Sequence, residues 1–238
     1  SDESGKFYLD DLKRNGVTIN EVQQLEEGDT GRCLVLVTPD ADRTMCTFLG
    51  MTASFSKSDL DKKAIQNSEY VYIEGYLVTS ETGRNAAVEA RKLAQDSGIK
   101  TAFTFSDPNM VSFFKDGLND ILGQGVDLLF CNEAEALAYA ETDNLDDACK
   151  ALKTIAKTFA ITRGPDGALL FDGETMLEID GYPVEAVDTN GAGDCFAGVF
   201  LAKLTQGASF EEAGKQACFA SSRLVTQYGP RLKEAVSV

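Results

Sequence analysis

From residue 70 onward, short apolar runs alternate with longer stretches in which apolar residues recur every three or four positions. "YVYIEG" (70–75), "IKTAFTFS" (99–106), "VDLLFC" (126–131) and "TFAITRG" (158–164) read as buried strands, rich in β-branched and aromatic side chains. Between them, "SETGRNAAVEARKLAQDSG" (80–98) runs as a helix from a Ser cap to a Gly stop. "NMVSFFKDGLNDILG" (109–123), "NEAEALAYA" (132–140) and "NLDDACKALKTIAK" (144–157) carry the same helical spacing. "GALLFDG" and "TMLEID" add two short antiparallel strands, and two long helices, "AGDCFAGVFLAKLTQG" and "SFEEAGKQACFASSRLVTQYG", follow.

Strands alternating with helices predict βαβ units, hence an α/β fold with a doubly wound, mainly parallel sheet and helices on both faces. The first third differs. "GKFYLDDLKRNGV" reads as a helix tail ending at Gly16, and "GRCLVLVTPDADRTMCTFLG" as two strands around the turn "TPDAD". The expected division is a β-strand lid over 17–52 and a main domain over 1–16 and 53–238. Tyr70, Tyr72 and Tyr76 alternate at strand spacing, which puts all three on one face. Most such stripes are core, although Tyr76, at the strand's far end, could reach a ligand crevice.

Composition narrows the chemistry. The 238 residues carry a formal net charge of −16, which disfavours nucleic-acid binding because that needs a basic footprint. No apolar run reaches the length of a membrane span and no signal peptide opens the chain, so the expectation is a soluble, cytoplasmic protein without a membrane partner. Histidine is absent, which removes Ser-His-Asp and Cys-His nucleophile chemistry and every His-containing zinc site. The six cysteines form no C-x-x-C pair, several sit in apolar runs, and the expectation is reduced, buried thiols in a reducing compartment. Acid–base chemistry falls to carboxylates.

One stretch combines a carboxylate with an anion site. In "DTNGAGDCFAGVF" (188–200), Gly191, Ala192 and Gly193 leave the backbone unobstructed where a helix begins. A helix mouth offers unpaired N–H groups and the positive end of the dipole. Asp194 in the first turn cannot bind an anion itself. It fits as the base that takes a proton from a hydroxyl about to attack phosphorus, unless it only complements the dipole. Rival phosphate motifs fail: there is no P-loop, and a dinucleotide G-x-G-x-x-G would need glycine where Phe196 stands.

"DTNGAGD" resembles the D-T-x-G-A-G-D motif of the ribokinase-like (PfkB) family of small-molecule kinases. "NEAE" (132–135) is similar to that family's N-x-x-E, "TRGPDG" (162–167) to its nucleotide turn, and "ASSRLVTQYGP" (220–230) to its last helix and loop. The resemblance implies Asp194 as catalytic base, with Gly191, Ala192 and Gly193 as the anion hole. It implies Asn132 and Glu135 placing Mg²⁺ through its water shell, and Thr162, Arg163, Gly164 and Gly167 along ATP. Ser221 and Gly229 would flank the adenine, and Asp188, Asn190 and the backbone near Gly229 would hold K⁺. Tyr76 would touch the substrate. The hairpin resembles the family's lid, a possible route to a homodimer.

On residues alone, N-x-x-E is also a helix capping box, "TRGPDG" a generic turn, and an exposed turn arginine the commoner fate of Arg163. Cys195 reads as packing. The implied activity is ATP-dependent phosphorylation of a primary hydroxyl on a nucleoside or a sugar, closest to adenosine-kinase-type members. Such members open with a strand that this sequence lacks, so the N-terminal part of the fold is expected to be missing. The alternative is a nucleotide-binding remnant or regulatory module that holds ATP without turnover.

Overall fold

The computed structural model describes residues 2–19, 28–38 and 43–233. Six strands form the main sheet: β3 (Tyr70–Glu74), β4 (Lys100–Thr104), β5 (Val126–Asn132), β6 (Ala156–Thr162), β7 (Ala168–Phe171) and β8 (Met176–Ile179). They lie in sequence order. The first four run parallel, and β7 and β8 are antiparallel additions, as the pattern predicts.

Helices cover both faces, and this explains why the strands read as nearly continuous apolar runs. Residues Ile73, Phe103, Leu129 and Phe159 point to one face, where they meet Ala87 and Ala90 of α3 (Glu81–Asp96), Leu118 and Ile121 of α4 (Pro108–Leu122), Ala136 of α5 (Glu133–Ala140) and Leu152 of α6 (Leu145–Leu152). Alternate positions Ala102, Leu128, Phe130 and Ala160 point to the other, against Phe196 and Phe200 of α7 (Ala192–Thr205) and Ala217 of α8 (Phe210–Leu224). Phe130 meets Phe200 edge-on, with ring centroids 5.7 Å apart, and so fixes α7 on the sheet.

Ahead of the main sheet the chain forms a helix and a two-stranded ribbon. Helix α1 (Glu3–Arg14) buries no residue. Strands β1 (Arg32–Val37) and β2 (Arg43–Phe48) pair antiparallel as a separate ribbon, with Leu34, Leu36 and Phe48 exposed. Most of its expected turn, 39–42, lies outside the described residues. A five-residue helix, α2 (Lys62–Gln66), leads into β3; it is too short for its periodicity to be read from sequence.

One expectation changes. Strand β3 ends at Glu74, and Tyr76 lies in a 3₁₀ turn, Gly75–Thr79, with nearly half its surface exposed. The turn starts at Gly75 because the backbone there presses on the end of the next strand: a Cβ at Gly75 would stand 2.6 Å from the Phe105 carbonyl oxygen. Tyr70 and Tyr72 pack towards α7 and α8, and Tyr76 is not part of their stripe. Among the described residues no helix is long and apolar enough to cross a membrane.

Candidate active site

Because β3 to β6 are parallel, their last residues share one edge: Glu74, Thr104, Asn132 and Thr162. In a doubly wound sheet this carboxyl edge is where ligands bind. Helix α7 points its amino terminus to the same edge, since Phe196 in its second turn packs on Phe130 near the end of β5.

Gly191 is the N-cap of α7, in the left-handed conformation with φ of 77°, and makes no side-chain cap. The Ala192 N–H donates to the Thr189 carbonyl at 3.2 Å, and no N-cap side chain takes the amides that follow it. Asp194 stands in that first turn and is exposed, with its side chain outside the packed interior. Asp188, by contrast, is buried. Its Oδ1 accepts the Asn190 N–H and its Oδ2 the Gly229 N–H, each at 2.9 Å, so one carboxylate ties the loop before α7 to the loop after α8.

A cavity of about 330 Å³ opens beside this helix mouth. Of the residues singled out from sequence, Thr162, Gly164, Gly167, Ala192, Gly193 and Ser221 line it together. Ser221 donates to the Ala192 carbonyl at 3.1 Å, which clamps α8 to the start of α7. The apolar wall was not legible in sequence: Tyr182, Val184, Ala186 and Val225 complete it. Tyr182 is held by an edge-on contact with Phe219 at 5.3 Å, a pairing between residues with no local signal.

Asn132 and Glu135 form the capping box in full. Glu135 accepts the Asn132 N–H at 2.9 Å and the Asn132 side-chain amide at 3.0 Å, while Asn132 Oδ1 accepts the Glu135 N–H at 2.8 Å. Each Glu135 oxygen already takes a donor, so the pair suits a metal held through water better than one bound directly. Arg163 turns to Glu133, Nε to Oε2 at 2.9 Å. Cys195 is half-buried; burial pushes its thiol up, with the Ser221 hydroxyl working against this. Among the described residues no group of three or more acidic or thiol side chains could hold a metal.

Two polar residues at the edge escaped the sequence reading. Glu74 is the one acid in "YVYIEG", and Ser106 Oγ donates to its Oε2 at 2.9 Å. An acid closing an otherwise apolar strand was the available signal. A second cavity, about 370 Å³, lies at the opposite end of the strands, where Lys157 and Asp127 pair with each other at 2.7 Å.

The chain is similar to adenosine kinase of Dictyostelium discoideum, 28% identical over 247 residues, covering 96% of this chain and 71% of that protein. Among solved structures, adenosine kinase from Sinorhizobium meliloti superposes with a TM-score of 0.93 at 32% identity, covering 98% of this chain and 72% of that one. A probable sugar kinase from Rhizobium etli CFN 42 gives the same TM-score of 0.93 at 30% identity, with the same 98% and 72% coverage. The family model described as pfkB family carbohydrate kinase matches residues 1–235. A glycine-opened helix mouth with an exposed acid, on the carboxyl edge of this sheet, therefore has its family: the chain belongs to the pfkB carbohydrate kinases.

Proposed function

We propose that the chain supports ATP-dependent phosphoryl transfer to a primary hydroxyl of a nucleoside or a sugar, with Asp194 as the base. The carrying observation is an exposed carboxylate in the first turn of a helix whose opening residues, Ala192 and Gly193, line a cavity of about 330 Å³. Asp194 takes the proton of the acceptor hydroxyl as its oxygen attacks phosphorus. The N–H groups of Gly191, Ala192 and Gly193 receive the charge that develops on the transferred group. Nothing stands within 4 Å of a Cβ placed at Gly193, so the approach at that residue is open, whereas Pro230 packs against Gly191.

The nucleotide lies along Thr162, Gly164 and Gly167, with its base against Tyr182, Val184 and the α8 face that carries Ser221. Asn132 and Glu135 would hold Mg²⁺ through its water shell, and the ion supplies charge neutralisation at the phosphates. Asp188 is a buried carboxylate with no basic partner among the described residues. That fits a K⁺ nearby, held with the backbone around Asn190 and Gly229. The β1–β2 ribbon, with its exposed apolar side chains, is read as the lid that excludes water over the acceptor; a second copy could share it.

The test is ADP release over a panel of adenosine, ribose, fructose and related sugars, with Asp194→Asn beside the parent. Transfer to one class, abolished by the substitution with ADP binding retained, is the expected result. Transfer that survives Asp194→Asn rejects the assignment of the base. A second reading, nucleotide binding without turnover, draws on the outer edge of β3, which pairs with no strand among the described residues. ADP binding with no transfer to any acceptor in the panel favours it.

A further inference from the structure

Ser106 and Glu141 are the non-glycine residues with positive φ among those described, and Ser106, at 71°, lies on the ligand edge. L side chains adopt this conformation at a cost, and surroundings that impose it at a ligand crevice point to a task. The Ser106 N–H donates to Thr104 Oγ1 at 3.1 Å, and its hydroxyl donates to Glu74 Oε2 at 2.9 Å. The close approach of Gly75 to the Thr104 and Phe105 carbonyls brings the two strand ends together, so the serine reaches the acid without a longer side chain.

Glu74 lies two residues beyond Tyr72 on β3 and shares its face, the one that meets Phe130 and α7. The first turn of α7 carries Asp194. The groups that act on the Glu74 carboxyl are Ser106 from the turn after β4, Asp194 from α7 through its charge, and Tyr72 from its own strand. Among the described residues no basic side chain pairs with it. Burial raises the Glu74 carboxyl above its ordinary value, the Ser106 hydroxyl works against this, and the Asp194 charge adds to it.

We propose that Glu74 is a positioning residue for Asp194, presented by the left-handed Ser106, and that the two carboxyls carry one negative charge between them once acceptor displaces water from the crevice. Two like charges in a dry site cannot both persist. Above the pH at which both are ionised, acceptor binding therefore draws one proton from solvent onto Glu74, and no other bond changes. Asp194 keeps its charge for the hydroxyl. This rests on the reading of Asp194 as the base.

The experiment is a ¹³C-carboxyl titration of the full chain, with Glu74→Gln to assign the resonance. Asp194→Asn is expected to move the Glu74 midpoint to lower pH, and Ser106→Gly to higher pH, each by roughly half a pH unit or more. Ser106→Gly accommodates the left-handed backbone and removes the hydroxymethyl group, and with it the hydrogen bond to Glu74. A Glu74 midpoint unmoved by either substitution overturns the proposal, because a serine that merely shapes the turn would leave it in place. In parallel, Glu74→Gln is expected to displace the pH profile of kcat/KM while ADP affinity stays unchanged. Moved midpoints without transfer by the parent reject the kinase reading and keep the coupling. Transfer with fixed midpoints does the reverse.

Discussion

Gly229 donates its backbone N–H to Asp188 Oδ2 at 2.9 Å across 41 positions of the chain. With the matching bond from Asn190, this buried carboxylate fixes the height of the helix mouth relative to the loop after α8. Asp188→Ala leaves two amides without their acceptor. Hydrogen bonds to a charged group contribute roughly 1.5–3 kcal/mol each. The expected loss is about 3 kcal/mol or more, seen as a fall in Tm of roughly 6–12 °C in a domain of this size. Asp188→Asn keeps one acceptor oxygen and is expected to fall between. A thermal melt of both variants checks the order.

Gly191 and Gly193 separate fold from chemistry. Gly191 has φ of 77°, and a Cβ there would stand 2.7 Å from the Pro230 carbonyl oxygen. Gly191→Ala is therefore expected to destabilise by at least about 1–2 kcal/mol from the left-handed backbone alone. Gly193→Ala meets nothing within 4 Å and places a better helix former in the first turn. It is expected to melt at or slightly above the parent temperature, yet to bind ADP more weakly, because the methyl faces the cavity that the helix amides border. Calorimetric titration with ADP beside the melts reads both effects.

Much of this was legible in the sequence, for reasons that differ by element. Strands β4 to β6 declared themselves because they are buried on both faces, β3 through its aromatic and β-branched run, and Ser80, Asn132 and Ser209 marked helix starts through short-range capping that sequence spacing encodes. The antiparallel β7–β8 pair followed from its short spacing. Tyr76 was misplaced because the strand ends on a long-range contact, Gly75 against Phe105, that no local pattern records. Tyr182 against Phe219 and Glu74 against Ser106 escaped for the same reason: the chain brings them together only after the sheet has formed. Motif residues that shared a cavity were legible; the walls between them were not.

Asp127 ties the amino-terminal ends of the strands together, away from the chemistry. It accepts from the Thr101 N–H at 2.7 Å, from Thr101 Oγ1 at 3.0 Å and from Lys157 at 2.7 Å. Burial acts to raise its carboxyl, but these bonds outweigh burial and hold it below the ordinary value of 3.8. A depressed value means that the contribution to stability is present above the unfolded value and is lost as pH falls through the folded one. Asp127→Ala is expected to lower Tm clearly at pH 6. The gap to the parent should narrow as the pH drops below about 4. A gap that stays constant down to pH 2 rejects the linkage.

The cysteines sort by position. Cys131, Cys149 and Cys218 are buried as expected, but Cys33 and Cys46 are exposed, because among the described residues no helix packs over the two-stranded ribbon that carries them. The ribbon register pairs Cys33 with Thr47 and Leu34 with Cys46, so the two thiols lie on opposite faces and do not meet. Burial raises the buried thiols, that of Cys218 to about 11, and thiolate is the reacting form. With a colorimetric disulfide reagent at pH 7.5, two fast equivalents are expected from Cys33 and Cys46, and Cys33→Ser with Cys46→Ser should remove that phase entirely. Cys218 lines the cavity, so its slow reaction is the one that ADP should slow further. Protection of the fast phase by ADP instead would mean that the ribbon, and not the α7–α8 cavity, takes the nucleotide.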